Sequence, residues 1–144
     1  MNEYELICDL VGLPQIRVTE YRLVGTTRIE ISIESTLAVA VCPTCGKLSE
    51  QALRQDEAQS IRDLRMWHRE CILRYQPRRY RCELCQDSFT EQVAWRNARR
   101  SYTQRYEQWI AGRVRREPIS HIAQSEGISE ETVQGIFERM AKKN

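Results

Sequence analysis

The sequence lacks the long apolar stretches and the low-complexity segments that would mark a membrane protein or a disordered one. No apolar run approaches the roughly 20 residues that a membrane-spanning helix needs. The first five residues, MNEYE, are acidic and do not show the basic-then-apolar pattern of a secretory signal peptide. We therefore expect a cytoplasmic protein with no membrane partner.

Residues that carry common enzyme chemistry are also scarce. The chain has 2 histidines, and its 6 glycines form no phosphate-cradling loop. The Ser/His/Asp order of a hydrolase is missing as well. These absences predict that the chain is not an enzyme and favour a binding function.

What is present is an ordinary folded composition with an uneven distribution of charge. The 144 residues are 41% hydrophobic and 29% charged, which suits one domain or two small ones. The formal net charge is only +2, yet residues 61–116 hold 14 basic and 6 acidic side chains, a local net charge of +8. Charge alone leaves two interpretations open, a surface for a polyanion such as nucleic acid and a solvated arginine-rich face.

Four of the 6 cysteines form two CxxC pairs that are separated by 36 residues. Two residues between the thiols let one tight turn direct both sulfurs at one ion, and two such turns give the closed S₄ site of structural zinc. Disulfides are rare in the reducing cytosol, so a metal explains the pairs better. The spacing therefore predicts zinc as cofactor, with iron as the alternative ion. The predicted metal ligands are Cys42, Cys45, Cys82 and Cys85.

The other potential ligands are predicted to have other roles. Cys8 and Cys71 lie in apolar patterns and are expected to be buried. His68 and His121 are single histidines that we expect at the surface or at helix caps. Two alternatives for the CxxC pairs stay open, namely ordinary cysteines and a redox pair, although the redox pair would need a βαβ unit that the pattern does not show.

The periodicity of apolar residues predicts a β-rich first part. Ile29, Ile31 and Ile33 alternate strictly with polar residues, as in a half-buried strand. Pro77 is expected to weaken the strand that contains it or to move that strand to a sheet edge. The predicted elements are a helix (4–11), a hairpin (16–24 and 28–34), a short extended run (37–41), a loop (46–60) and two extended segments (61–66 and 71–81).

From residue 101 the periodicity becomes helical. A capping box at residues 101–104, with Ser101 as the cap, predicts a helix that ends near residue 115. Two further helices, over residues 119–125 and from Ser129 to about residue 141, flank Gly127 with the spacing of a helix-turn-helix.

Together these patterns predict an α+β fold with two modules. A small β-rich zinc-ribbon module (1–97) precedes a three-helix helix-turn-helix module (98–144). In a complex with DNA, arginines would contact phosphates and the last helix would enter the major groove. The predicted phosphate contacts are Arg74, Arg78, Arg79, Arg81, Arg96, Arg99, Arg100, Arg113, Arg115, Arg116 and Arg139, with Lys142 and Lys143 as further cations. The side chains predicted to face base edges are Glu130, Glu131, Gln134 and Glu138, and Ser129 and Thr132 are further predicted DNA contacts.

These features resemble the N-terminal part of insertion-sequence transposases of the ISL-three group. The resemblance implies that the two modules recognise transposon ends in double-stranded DNA and that a DDE-type catalytic domain follows in the family. We expect this chain, which ends at Asn144, to lack that domain and its catalytic carboxylates. Other transposition proteins and a second copy of the chain are further candidate partners. The matching stretches are residues 42–46 (CPTCG), 61–64 (IRDL), 78–82 (RRYRC), 89–91 (FTE) and the helix pair at 119–133.

Two functional hypotheses follow from the sequence. The first is a non-catalytic, sequence-specific DNA-binding protein, which could be a transposase fragment, a regulator or a targeting subunit. The second is a zinc-ribbon adaptor for protein interactions. Glu130, Glu131 and Glu138 favour the adaptor, since carboxylates on the recognition helix repel phosphates, although a glutamate can accept a hydrogen bond from cytosine.

Overall fold

The computed structural model describes residues 1–142 and has an α+β fold in which a β-rich part precedes three helices. None of its helices is both long and apolar enough to cross a bilayer, a finding that covers the described residues. The helices are α1 (Glu3–Val11), α2 (Gln104–Val114), α3 (Ile119–Glu126) and α4 (Glu130–Lys142). The strands are β1 (Ile16–Val24), β2 (Arg28–Ser35), β3 (Ala40–Val41), β4 (Leu48–Ser49), β5 (Ala52–Gln55), β6 (Gln59–Met66), β7 (Arg69–Tyr75), β8 (Arg78–Arg81) and β9 (Ser88–Thr90).

The N-terminal hairpin belongs to a four-stranded sheet of order β1-β2-β7-β6, and α1 packs against this sheet through Val11. The predicted hairpin of β1 and β2 is confirmed, and the alternation in β2 buries Ile29, Ile31 and Ile33 on one face. Strand β7 pairs parallel with β2 and antiparallel with β6. The sheet therefore has a core of its own, which includes Leu73 and Tyr75 of β7.

The ribbon forms from two smaller sheets, β3-β4 and β5-β8-β9. The prediction of a loop over residues 46–60 is wrong, because β4, β5 and the start of β6 lie there. Strand β5 is exposed at every residue, so its sequence has no alternation of apolar and polar residues that would predict a strand. Its pairing with β8 stabilises it. The predicted run over residues 37–41 shortens to β3, since the carbonyl of Leu37 accepts a hydrogen bond from Arg78.

The predicted extended segment at residues 71–81 is two strands in two different sheets. Residues 76 and 77 separate β7 from β8, and neither strand is an edge. The expectation that Pro77 would move its strand to a sheet edge is therefore wrong. A proline lacks the N–H that a sheet ladder needs, so the chain leaves one sheet at this residue and enters the next.

The capping box predicted at Ser101 is wrong, because Thr103 is the N-cap of α2. The Thr103 hydroxyl accepts a hydrogen bond from the backbone N–H of Tyr106 (3.3 Å) and donates one to Asp63 of β6 (2.7 Å). Ser101 instead accepts a hydrogen bond from the N–H of Arg62 (2.9 Å) through its carbonyl. A tertiary contact with β6 thus determines where the helix starts. The residues next to Ser101 in sequence do not indicate this contact. Ser129, by contrast, is confirmed as a cap, since its hydroxyl accepts from the N–H of Thr132 (3.0 Å).

The three C-terminal helices enclose a second core. Tyr106 and Ile110 of α2 pack with Ile122 of α3 and Ile136 of α4, all fully buried. Leu64 of β6 packs against the same cluster, so the helices also lie on the four-stranded sheet. A third, small core behind the cysteines contains Tyr80 and Phe89.

Replacing Thr103 with alanine is expected to lower the free energy of unfolding by about 1–2 kcal/mol, the usual cost of losing a helix cap. The change removes the bond to Tyr106 and one of the hydrogen bonds that Asp63 accepts. Urea unfolding followed by circular dichroism measures the effect. Thr103→Ser is the matched control, because serine keeps the hydroxyl. If both variants unfold at the same urea concentration as the parent chain, the cap has no role in stability.

Candidate metal centre and nucleic-acid interface

The two CxxC segments fold into the same turn. In the first, the N–H of Cys42 donates to the carbonyl of Lys47 (2.9 Å) and the N–H of Gly46 donates to the carbonyl of Cys42 (2.9 Å). In the second, the N–H of Cys82 donates to the carbonyl of Asp87 (2.9 Å) and the N–H of Gln86 donates to the carbonyl of Cys82 (2.8 Å). The four thiols are therefore presented by two equivalent knuckles.

Each knuckle needs a left-handed residue directly after its second cysteine. Gly46 has a φ of +77° and Gln86 a φ of +63°. Glycine adopts this conformation without steric cost, whereas glutamine has a Cβ that opposes it. The Gln86 side chain donates to the carbonyl of Glu83 (2.6 Å), which holds the second turn in place without a glycine.

The knuckles bring the predicted ligands together. The sulfurs of Cys42, Cys45, Cys82 and Cys85 all lie within 4.8 Å of one another, and those of Cys45 and Cys82 are 3.5 Å apart. Sulfurs at about 2.3 Å from one tetrahedral zinc ion are about 3.8 Å apart, so the arrangement fits zinc. Within the described part of the chain, no other group of three or more histidine, cysteine or acidic side chains is placed to hold a metal.

The electrostatics of the four sulfurs also call for a cation. Backbone N–H groups of Cys45 and Thr44 point at the Cys42 sulfur and lower its pKa to about 7. The neighbouring sulfur of Cys45 contributes most to raising the pKa of Cys85 to about 12. Four adjacent thiolates repel one another, and the positive charge of a bound divalent ion offsets that repulsion, so that the remaining protons are released when the ion binds.

The other cysteines and histidines lie away from this centre. Cys71 is buried in the sheet core, as predicted, and burial raises the pKa of its thiol to about 12. Cys8 is half-buried, and its thiol lies 3.5 Å from the carbonyl of Ile16. His68 and His121 are exposed, and His121 lies 3.1 Å from the carboxylate of Glu117.

Four of the predicted DNA-contacting arginines pair with carboxylates of the chain itself. The strongest case is Arg113, whose guanidinium is bound by Glu117 (2.8 Å) and Glu126 (3.4 Å). The others are Arg79 with Asp56 (4.0 Å), Arg100 with Glu107 (3.6 Å) and Arg139 with Glu107 (3.0 Å). These cations are partly neutralised, and Arg113 in particular stabilises the helical part.

The remaining predicted arginines form no ion pair with a carboxylate of residues 1–142. Arg74 bonds to Ser60, Arg78 to the carbonyl of Leu37, and Arg81 to Gln86. Arg115 and Arg116 are exposed at the end of α2. Arg96 and Arg99 line a groove beside the first knuckle, together with Arg79 and Pro43. We call this the arginine groove; its lining also includes Glu91, whose carboxylate accepts hydrogen bonds from Tyr75 (2.7 Å) and from the N–H of Arg78 (3.1 Å).

The outward face of α4 is acidic. A shallow groove along it is lined by Ile119, Glu130, Glu131, Gln134, Gly135 and Glu138. Gln134 donates to Glu138 (2.9 Å), and the hydroxyls of Ser129 and Thr132 bond to each other (2.7 Å). Of the residues predicted to contact DNA from α4, Glu130 and Gln134 line this groove, whereas Ser129 and Thr132 are engaged in the cap of the helix. Lys142 is exposed at the end of this helix, and Lys143 lies outside the described residues.

The sequence analysis did not predict one buried polar cluster, which consists of Glu126, Tyr106 and Arg62. Glu126, at the end of α3, is buried and accepts hydrogen bonds from Tyr106 (2.8 Å) and Arg62 (3.2 Å). Arg62 also donates to the backbone carbonyl of Glu126 (2.6 Å). The adjacent charges Arg62 and Asp63 between the apolar residues Ile61 and Leu64 were the available signal, because buried charges need partners.

Comparison with protein families explains the two halves of this arrangement. A model described as the zinc-finger of transposase IS204/IS1001/IS1096/IS1165 matches residues 38–85, which contain both knuckles. A model described as the helix-turn-helix domain of transposase family ISL3 matches residues 91–141, which contain α2, α3 and α4. The chain carries the zinc ribbon and the helix-turn-helix of the ISL3 transposase family.

The ISL3 matches leave the first elements of the fold uncovered. Helix α1 and the β1-β2 hairpin precede residue 38, while the β6-β7 hairpin lies within the ISL3 ribbon match. No curated protein and no solved structure matches the chain significantly. The ISL3 ribbon and helix-turn-helix together support DNA binding by a part of a transposase, with zinc as the cofactor of the ribbon.

Proposed function

We propose that this chain recognises transposon ends by binding double-stranded DNA in a sequence-specific, non-catalytic way. The observation that carries the proposal is the arginine groove, in which Arg96 and Arg99 have no carboxylate partner among residues 1–142 and lie next to the first knuckle. Arg99 is exposed, whereas Arg96 is half-buried, donates to Gln59 (2.6 Å) and lies 5.3 Å from the centre of the Tyr75 ring, so that neither charge is neutralised by a carboxylate of residues 1–142. Cations without a carboxylate partner can pair with phosphates, and phosphate contacts supply most of the affinity of DNA-binding proteins.

In this proposal zinc has a structural role. Cys42, Cys45, Cys82 and Cys85 hold the ion, and the closed sulfur set leaves no position for a substrate. The two knuckles then fix β8 and β9, which carry Arg79 and residues 88–90 of the arginine groove, and Arg96 and Arg99 follow β9 in the chain. Zinc thus orders a cationic surface and takes no part in chemistry.

The helices α3 and α4 form the helix-turn-helix of the proposed complex. Support comes from the turn between them, where Gly127 has a φ of +67° and the N–H of Ile128 donates to the carbonyl of Ala123 (3.1 Å). Helix α4 would lie in the major groove and use Glu130 and Gln134 for base contacts. Because its face is acidic, phosphate neutralisation falls to the arginine groove and to Arg115 and Arg116.

The division at residues 97 and 98 remains a proposal about how the two modules are organised. Residues 1–97 would supply the zinc ribbon with Arg79 and Arg96, and residues 98–144 would supply the reading helix together with Arg99, Arg115 and Arg116. Whether transposase part, regulator or targeting subunit, such a chain would occupy transposon ends in the cytoplasm. Other transposition proteins and a second copy of the chain are the proposed partners besides DNA.

A protein-interaction adaptor is the second candidate. The acidic groove of α4 favours it, because carboxylates such as Glu131 and Glu138 repel phosphates and suit a basic protein partner. In that case the arginine groove would be an incidental solvated surface. Binding to DNA separates the two candidates.

The affinity for a duplex of random sequence is expected to fall steeply with salt, because phosphate binding releases counterions. Arg99→Gln and the double variant Arg115→Gln/Arg116→Gln should each flatten the slope of log affinity against log salt, by about 1 for each phosphate that the variant no longer neutralises. Fluorescence anisotropy at several salt concentrations measures the slopes. Arg22→Gln is the control, because Arg22 pairs with Glu30 on the surface of β1. A salt-insensitive affinity, or no binding at all, would support the adaptor.

A further inference from the structure

The loop of the β6-β7 hairpin exposes a tryptophan that the proposed function has not used. Trp67 is 83% exposed, whereas Trp95 is 5% and Trp109 is 37% exposed. We call residues 66–69 the hairpin tip. A single exposed apolar side chain needs no explanation by itself, so the surroundings of Trp67 decide its meaning.

The backbone of Trp67 is strained. Its φ is +57°, and it is the first of the two residues that join Met66 to its partner Arg69. At this position of a two-residue hairpin loop, glycine is the residue that avoids a steric penalty. Because the indole is exposed, packing within the fold does not compensate for the strain. A strained and exposed bulky residue suggests a role outside the folded chain.

The hairpin tip is held beside the turn between α3 and α4. Arg65, two residues before Trp67, donates to the carbonyl of Ser125 (3.3 Å), and Arg62 donates to the carbonyl of Glu126 (2.6 Å). Leu64 packs into the core of the helices. These contacts fix the end of β6 against the last turn of α3, close to the start of α4.

The same end of the sheet carries positive charge. Arg69 donates to the carbonyls of Gly25 (3.0 Å) and Arg28 (3.1 Å), which brings the turn between β1 and β2 next to the hairpin tip. Arg28 and Arg69 form no ion pair with a carboxylate of residues 1–142. Nearby carboxylates are already paired, Glu30 with Arg22 and Glu70 with Arg62. An exposed indole between arginines suits a polyanion with aromatic bases.

We propose that Trp67 packs its ring against bases of the DNA that the helix-turn-helix binds, which makes the hairpin tip a second point of contact. This inference rests on the proposed function. Aromatic side chains stack on base faces, and apolar side chains wedge between base steps from a groove. Arg28 and Arg69 would hold the flanking phosphates. In either case the group that Trp67 would contact is the face of a base. Such a face is exposed where two base pairs are wedged apart and also at an unpaired nucleotide.

Trp67→Gly tests the proposal because it should separate binding from folding. Glycine relieves the strain, so the melting temperature should stay the same or rise. The affinity for a duplex should fall at least about fivefold, the lower end of what one base-stacking contact contributes. Trp67→Phe should restore most of the affinity. Leu6→Ala, another exposed apolar side chain, is the control and should bind as the parent chain does.

Two duplexes, one fully paired and one with a single unpaired nucleotide, identify the source of the base face. A larger loss for Trp67→Gly on the unpaired duplex indicates stacking on a free base, and an equal loss indicates a wedge between paired steps; both support the proposal. Affinity equal to that of the parent chain on both duplexes would overturn it and leave the proposed function intact. A lowered melting temperature that accompanies weaker binding would also count against it. Failure of the parent chain to bind either duplex would reject the proposed function itself.

Discussion

Removal of zinc is expected to unfold the ribbon while the four-stranded sheet and the three C-terminal helices stay folded. The small core of the ribbon consists of Ala40, Cys42, Tyr80, Cys82 and Phe89, and two of these residues are metal ligands. Without the ion little apolar area remains to hold β3, β4, β8 and β9 together. Zinc bound by four thiolates contributes on the order of 10 kcal/mol, far more than such a core can supply. The other two cores contain none of the four ligands.

Cys82→Ser is the sharpest form of this experiment. Elemental analysis should give one zinc ion per parent chain and none per variant, because three thiolates and a hydroxyl bind the ion much more weakly. Amide hydrogen exchange should show lower protection for residues 40–49 and 78–90 and retained protection in α2, α3 and α4. Cys8→Ser is the matched control, since Cys8 lies outside the cluster, and it should keep its zinc. A Cys82→Ser chain with a full complement of zinc, or a protected ribbon without metal, would contradict the structural role.

Parts of the molecule are predictable because their signals are local. The two knuckles follow from cysteine spacing, since two intervening residues dictate one tight turn. The alternation in β2 and the order α3, Gly127, Ser129, α4 depend on residues that are neighbours in sequence. The sequence therefore predicts each of these elements with nearly correct bounds.

The rest depends on contacts between distant residues. Strand β7 enters the sheet between β2 and β6, a parallel pairing that no periodicity reports. Strand β5 is polar and exposed, and it exists because β8 pairs with it. Helix α2 has its N-cap at Thr103 because the carbonyl of Ser101 accepts a hydrogen bond from the backbone N–H of Arg62 in β6. In each case a tertiary contact overrides or replaces the local signal.

The long separation of the two CxxC pairs now has a structural reason. After β5 the chain leaves the ribbon, adds the β6-β7 hairpin to the N-terminal sheet, and returns to the ribbon through β8. The hairpin is therefore an insertion in sequence between the two knuckles. The knuckles come together in space when the four sulfurs bind one ion. Strand β6 of the hairpin carries Arg62, Leu64 and Arg65 to the C-terminal helices. The hairpin thus contacts both the sheet and the helices, and further hydrogen bonds join α2 to α1 (Arg105 to the carbonyl of Val11, 2.7 Å) and β5 to β2 (Gln55 to Glu34, 3.1 Å).

The buried carboxylate of Glu126 is the chemical centre of the contact between the hairpin and the helices. Tyr106 and Arg62 donate to it, and Arg113 and Arg65 lie at 3.4 and 3.7 Å. Burial raises the pKa of the Tyr106 phenol, which keeps its proton available for the hydrogen bond. Arg62 is itself buried, and its guanidinium carbon lies 5.2 Å from the centre of the Tyr106 ring. Its charge is tolerated in this place because Glu126 lies opposite.

Glu126→Ala is expected to destabilise the chain by about 3–5 kcal/mol, the cost of leaving one partner of a buried ion pair without the other. The variant removes the acceptor of the buried Tyr106 hydroxyl and the nearest carboxylate of Arg62, which keeps the backbone carbonyl of residue 126 and Glu70 at 3.8 Å. Urea unfolding measures the loss, and Glu138→Ala, on the exposed face of α4, should change stability by no more than about 0.5 kcal/mol. The double variant Arg62→Met/Glu126→Leu should recover much of the stability, because an apolar pair of similar volume removes both charges. A loss below about 1 kcal/mol for Glu126→Ala would mean that water replaces the carboxylate, and that β6 and the helices are held together by the packing of Leu64 and by the hydrogen bonds of Asp63.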